Sequence, residues 1–196
     1  MVSAENMTII WGYEYRYWRW VPHPESRFAK VAEILSVCWL HIRGSMNCRL
    51  LSRRTRYVVC IVFKLAPGSH GLGDPPQKAS VKLGSYASES FIRLQPDDDD
   101  ESEAEDEEEK AAVEGEDGWM EMVLGDFYTE EGDDGNVLFS AREGIGFRYL
   151  LGRLTDTMYY HLGAGSGCVL RDHLQAECLG AIVLVIVGIS QVLKSS

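Results

Sequence analysis

YVVCIVFKL, residues 57–65, is apolar from Tyr57 through Phe63 and rich in β-branched side chains, with Lys64 the first charge to interrupt it. A strand with no polar face has nothing to offer water, so this stretch belongs at the centre of a packed sheet. The remaining segments are shorter and arrange themselves around it.

On its carboxyl side, Ala66-Pro67-Gly68-Ser69 is expected to break the strand, and residues 71–76 read as a loop by their glycines and prolines. Residues 79–83 and 90–94 alternate as short outer strands. On its amino side, Phe28, Val31, Ala32 and Leu35 fit a helical face, yet 31–37 also fits half of a strand, and both assignments stand open. Residues 38–43 alternate as a strand that runs into a turn at Gly44-Ser45, and a short strand near 48–51 completes a hairpin. Further on, Trp119, Met120, Met122 and Leu124 mark a strand ended by Gly125. EEGDDG at 130–135 is a turn by composition, and 136–141 returns as a strand with Val137, Phe139 and Ala141 on one face. Such signals recurring every ~10 to 15 residues predict an all-β fold, a jelly-roll-like β-sandwich, rather than an α/β arrangement.

The net charge of −11 is local in origin. Residues 97–117 hold fourteen acids and one lysine; outside them 16 acids stand against 18 Lys and Arg. Residues 96–117 are therefore expected to form a disordered acidic loop, because like charges repel and too little apolar surface is present to offset the entropy of ordering. The nearly neutral remainder argues against nucleic acid, which calls for clustered cations.

Five cysteines, Cys38, Cys48, Cys60, Cys168 and Cys178, form an odd set without CxxC spacing, which suits reduced thiols in an intracellular protein. The first eight residues carry neither a basic nor an apolar signal-peptide region, and residues 1–6 are expected to be disordered. The longest apolar run, 179–189, is eleven residues with Gly180 and Gly188 inside it; it is too short to span a bilayer and fits a buried strand. No membrane association is expected.

Residues 9–20, IIWGYEYRYWRW, concentrate three of the five tryptophans and three of the nine tyrosines. Trp11, Trp18 and Trp20 each offer a flat apolar face and one indole donor, with Arg16 and Arg19 placed to stack or to fork onto an acceptor, a chemistry that suits sugar rings, nucleobases or a protein hot spot. The competing assignment is a seal on one end of a β core with the arginines reaching outward. Pro22 and Pro24 end the segment in an extended path. Trp39 and Trp119 sit in strand patterns and are assigned to the core.

Other chemistry is weak. His161, Cys168, His173 and Cys178 have no zinc-finger spacing, GAGSG at 163–167 lacks the lysine of a phosphate loop, and no nucleophile motif or carboxylate pair for glycoside hydrolysis is placed. No metal, no cofactor and no enzymatic activity are expected.

The order of several segments resembles the phloem protein 2 family of plant lectins, also called the Nictaba domain, in its F-box-linked branch. The residues that carry the resemblance are IIWG at 9–12, YWRW at 17–20, PESRF at 24–28, VAEILSVCWLHIRG at 31–44, LSRRTRYVVCIVFKL at 51–65 and DGWMEMVLGDFYTEEGDDGNV at 117–137. The resemblance implies a single lectin-like β-sandwich over residues 7–194. It also implies recognition of N-acetylglucosamine oligomers or N-glycans in the cytoplasm or nucleus, with glycans or glycoproteins as partners. The family's implicated tryptophans match Trp11 and Trp18. Trp20 shares one strand face with Trp18 and stands between core and site, and Glu121 and Asp126 add acceptors for sugar hydroxyls. A lectin-derived protein-interaction module is the alternative, and homodimerisation is left open.

Two departures stand out. Relatives carry an F-box before this domain whereas the sequence here starts at the lectin motif, so the resemblance gives no support for a ligase role. Residues 144–180 resemble nothing in the family and read as an atypical insertion, with 148–154 a helix candidate and the closing strand expected at 183–192.

Overall fold

The computed structural model describes residues 1–37, 39–73, 75–95, 109–143 and 179–191. Thirteen strands are found among them: β1 (Val2–Ser3), β2 (Thr8–Ile9), β3 (Trp18–Val21), β4 (Val31–Val37), β5 (His41–Asn47), β6 (Thr55–His70), β7 (Gln77–Leu83), β8 (Tyr86–Arg93), β9 (Glu109–Ala111), β10 (Val113–Glu114), β11 (Met120–Thr129), β12 (Asn136–Glu143) and β13 (Leu179–Gln191). Single 3-10 turns occupy Ala4–Asn6 and Cys48–Leu50, and no described helix is long and apolar enough to cross a membrane.

The strands form two sheets. The first runs β10-β11-β6-β13-β4-β3 with β1 also paired to β13; the second runs β2-β5-β12-β7-β8-β9. Their inner faces share one core, in which Trp18, Ile34, Ile61, Phe63, Met122 and Phe127 of the first sheet belong to the same buried cluster as Ile42, Val81, Ile92, Val137 and Phe139 of the second. Each large side chain so buried contributes about 1.5–3 kcal/mol, so the all-β sandwich rests on the alternation visible in the sequence.

The stretch 57–65 lies inside the first sheet, hydrogen-bonded to β11 on one side and β13 on the other. Tyr57, Val59, Ile61 and Phe63 enter the core, while Val62 joins Val21, Phe28 and Trp119 around Val31 on the outer side. The expected break at residues 66–69 does not occur. β6 runs on to His70, because five residue steps from Leu65 to His70 stand against two from Ile182 to Gly180 on β13, and the mismatch absorbs Pro67 and the left-handed Gly68 (φ +80°) as an irregularity.

Two more glycines act differently from the sequence expectation. β5 runs straight through Gly44-Ser45. A Cβ on Gly44 would lie 2.5 Å from the Phe139 ring, so this glycine admits an aromatic from β12 rather than turning the chain. Gly125 likewise does not end β11; it sits at a register shift against β6, with a Cβ there 3.0 Å from Val81 Cγ2 of the facing sheet. The expected strand at 48–51 is a 3-10 turn capped by the Asn47 side chain, which accepts from Arg49 N at 2.9 Å. For 31–37, left open between helix and strand, the structure has a strand, paired with β3 and β13.

At the ends, order exceeds expectation. Residues 2–6 are folded: Val2 and Ser3 pair with Val187 and Ile186, and Ala4 is fully buried. The acidic stretch lies outside the described residues from 96 to 108, but β9 adds to β8 in parallel and β10 pairs with β11. Lys110-Ala111-Ala112-Val113 interrupts the carboxylates there, and Ala112 packs against the core. The strand expected at 183–192 is β13, which starts earlier and lies between β6 and β4 rather than at an edge. The insertion, including 148–154, falls outside the described residues up to 178.

Candidate functional site

Residues 10–17 form a loop between β2 and β3, and the two tryptophans that follow it hold it in place. Trp18 Nε1 donates to Ile10 O at 3.1 Å, and Trp20 Nε1 donates to Gly12 O at 2.7 Å. Backbone bonds from Gly12 N to Ile9 O, Glu14 N to Trp11 O and Tyr17 N to Glu14 O close successive turns, and Ile10 N reaches His41 O on β5 at 3.1 Å. With these carbonyls satisfied, the loop is held from within and from both flanking sheets.

The pinned loop turns Tyr13 and Tyr15 outward, while Trp11 and Tyr17 pack partly against the core. Tyr13 and Tyr15 are 88% and 80% exposed. Trp11, half-buried, packs against Trp39 with centroids 4.5 Å apart and against Tyr17 at 5.3 Å, both tilted. Trp11 also adopts φ +54°, a left-handed conformation that costs an L-residue about 1–2 kcal/mol and is retained where the surroundings determine it. Arg16 extends the array: its guanidinium accompanies the Tyr17 ring at 5.8 Å and donates to Glu14 Oε1 at 3.1 Å, a pairing that raises its pKa further.

The five sequence candidates do not converge on one pocket. Trp11 sits in the loop. Trp18 is 2% exposed inside the core, so no ligand ring reaches its face, and Trp20 is half-buried against the same core. Glu121 and Asp126 lie on the outer side of the first sheet, opposite in direction to the buried Met120, Met122 and Phe127 of their own strand. Asp126 accepts from Arg56 Nε at 2.6 Å. The sequence singles out the tryptophans but not Tyr13 and Tyr15, and it places Trp39 in the core; the alternation of Tyr13 and Tyr15 with Glu14 and Arg16 is also the pattern of a strand with one buried face, so it gives no sign that these two rings are exposed.

A second aromatic group surrounds Trp119 on the outer side of the first sheet. Lys64 Nζ lies 4.8 Å from the ring, His23 meets it edge-on at 5.2 Å, and Lys64 also donates to Glu25 and to Asp117 O. The Lys64 ammonium holds the Glu25 carboxyl below its usual range. Among the described residues no three His, Cys, Asp or Glu side chains are grouped to hold a metal; His161, Cys168, His173 and Cys178 lie outside them.

Two packed, largely antiparallel sheets with a braced aromatic loop at one edge define an all-β sandwich. The profile of the phloem protein 2 family matches residues 1–148, and the chain belongs to that family. It is similar to F-box protein PP2-B10 of Arabidopsis thaliana, 42% identical over 145 residues that cover 73% of this chain and 52% of that protein. It is also similar to F-box protein PP2-B5 of the same plant, 31% identical over 172 residues covering 87% of this chain and 51% of the relative. The chain thus spans about half the length of the relatives it matches.

Proposed function

We propose that this domain binds carbohydrate without catalysis, taking N-acetylglucosamine oligomers or N-glycan cores on the loop of residues 10–17, in the cytoplasm or nucleus. The observation that carries this reading is the pinned loop with its two exposed rings, Tyr13 and Tyr15, beside the half-buried Trp11. Aromatic faces take the C–H face of a pyranose, and a platform fixed before binding loses little entropy when a ligand arrives. Arg16 and Glu14 at its rim supply a donor fork and acceptors for hydroxyl and acetamide groups. Trp18 and Trp20 enter this reading as supports, and Glu121 and Asp126 are outside the primary contact.

Titration with chitotriose, followed by tryptophan fluorescence, tests it. Trp11→Ala and the pair Tyr13→Ala with Tyr15→Ala each weaken binding by at least about tenfold, as loss of a stacking ring does, while Glu121→Gln leaves it within twofold. Absence of any saturable sugar response in the wild-type protein defeats the proposal. A protein-interaction reading is favoured by the names of the relatives, which are F-box proteins, and by the 88% and 80% exposure of the two tyrosines. In that case the same substitutions abolish a protein contact and glycans do not compete for it.

A further inference from the structure

The outer face of the second sheet carries a charge opposite to that of the chain. Along β5, β12 and β7 the side chains opposite to the buried set are His41 and Arg43, then Arg142, then Lys78 and Lys82. Register brings them together: Arg142 pairs across to His41 on one side and to Lys78 on the other, and Ser140 stands between Arg43 and Ser80. Glu89 on β8 is the one carboxylate lining this face among the described residues, and Lys78 Nζ already meets it at 2.7 Å. Arg43, Arg142 and Lys82 project without a described ion-pair partner on an exposed surface of a protein whose net charge is −11.

The face is shaped as well as charged. Two adjoining depressions of about 230 and 430 Å³ run across it, sharing Arg43, Lys82, Ser80 and Ser140. The two serine hydroxyls bond each other at 2.9 Å and form a polar floor. Leu138, 51% exposed, and Phe91, 45% exposed, border the cations, Leu138 opposite Lys82 and Phe91 opposite Lys78.

We propose that this face docks an acidic peptide segment of a partner protein, in extended conformation, with apolar side chains among its carboxylates. Carboxylates on alternate residues of an extended chain repeat every ~6.8 Å, the spacing of His41 and Arg43 at i and i+2 along β5. Leu138 and Phe91 would cover the apolar side chains of such a peptide. A single-stranded nucleic acid matches less well, since its bases need exposed rings to stack on, and of the Phe, Tyr and Trp residues among those described that line or border these depressions Phe91 is exposed while Phe139 is buried. The site is separate from the sugar-binding reading and does not rest on it.

His41 supplies a pH signature. Burial first, then Arg43 and Arg142, holds its pKa below the ordinary histidine value. The other charges on the face are Lys78, Lys82 and Glu89, from β7 and β8. Bound carboxylates offset Arg43 and Arg142, so His41 takes up a proton on binding, and affinity rises as pH falls through the range just below the usual histidine value.

The test is fluorescence anisotropy with the full chain and a labelled dodecapeptide alternating Glu with Leu and Phe, at pH 7.5 and 5.5 and at 50 and 500 mM NaCl. Saturable binding at 50 mM salt is expected, weakened at least about tenfold at 500 mM, where the screening length approaches contact distance. Arg43→Glu with Arg142→Glu should cost at least about tenfold, whereas Arg27→Glu with Lys30→Glu, the same change of charge at exposed positions just ahead of β4, stays within twofold, thermal unfolding confirming that each variant folds. His41→Gln should remove the tightening at pH 5.5. The proposal is overturned by no saturable binding, by equal loss in Arg27→Glu with Lys30→Glu, or by tighter binding of a single-stranded oligonucleotide than of the peptide. It is overturned too if the peptide binds only after the acids of residues 97–108 are changed to Asn and Gln, which would assign the face to the chain's own acidic stretch.

Discussion

Trp18 and Trp11 carry the same side chain and opposite duties. Trp18 has 2% of its surface exposed and an indole N–H committed to Ile10 O, so Trp18→Phe both leaves a cavity and orphans a carbonyl. Together these should cost about 2–4 kcal/mol, read as a lowered midpoint in urea. Trp11 is half-buried and held at φ +54°, so Trp11→Gly should be more stable than Trp11→Ala by about 1 kcal/mol, because glycine alone takes that conformation without strain. Equal stability of the two Trp11 variants would remove the case for strain in the loop. The same attention to surroundings separates the thiols: burial first, then the Glu121 carboxylate, pushes the Cys60 pKa up to about 11. At pH 8 almost none of it is thiolate, and mass-spectrometric mapping after iodoacetamide should find Cys60 unmodified in the native protein and alkylated only in denaturant. These distinctions were only half legible in the sequence. The density of rings at residues 9–20 marked the place, but which ring faces in depends on β3 pairing with β4, and that pairing is a tertiary fact.

Elements built from alternation were legible, and elements modified by glycine were not. Val137, Phe139 and Ala141 share a face in the sequence and are buried together in β12. Gly44 looked like a turn because local chemistry cannot show the Phe139 ring that needs the space; Gly44→Ala should therefore destabilise by about 1–3 kcal/mol, the cost of overpacking a filled core. β13 is the larger case. Its apolar character is plain in residues 179–189, yet its position between β6 and β4 depends on pairings with strands more than a hundred residues away. It bonds on both sides, to Val37 and Ala32 at one edge and to Tyr57 and His70 at the other. A chain ending at residue 143 should then lose cooperative thermal unfolding, with β6 and β4 left as unpaired edges. Adding a synthetic peptide of residues 179–191 in trans should restore part of the transition. A sharp, unchanged transition in the truncated chain would show that the first sheet closes without β13.

At the level of the whole molecule, topology and charge act on the same vulnerability. The first sheet joins Val2 to Val187 and inserts β13 between strands that precede it by more than a hundred residues, so its centre cannot assemble until almost the full described chain is present. Sheets dominated by such non-local pairing fold in about milliseconds to seconds, and during that interval the apolar edges of β6 and β4 are open to other chains. The net charge of −11 opposes association at pH 7, and the carboxylates that create it are protonated as pH falls toward the sequence pI of about 4.9. Loss of repulsion then coincides with exposed strand edges. Rapid dilution from urea should consequently give clear, concentration-independent refolding at pH 7.5, and at pH 5.0 light scattering that grows with protein concentration. Adding 0.5 M NaCl at pH 7.5 should move the outcome part of the way toward pH 5.0, since salt screens the same repulsion without protonating any group. Equal scattering at the two pH values would mean that net charge is not what keeps the half-formed sheet from pairing with its neighbours.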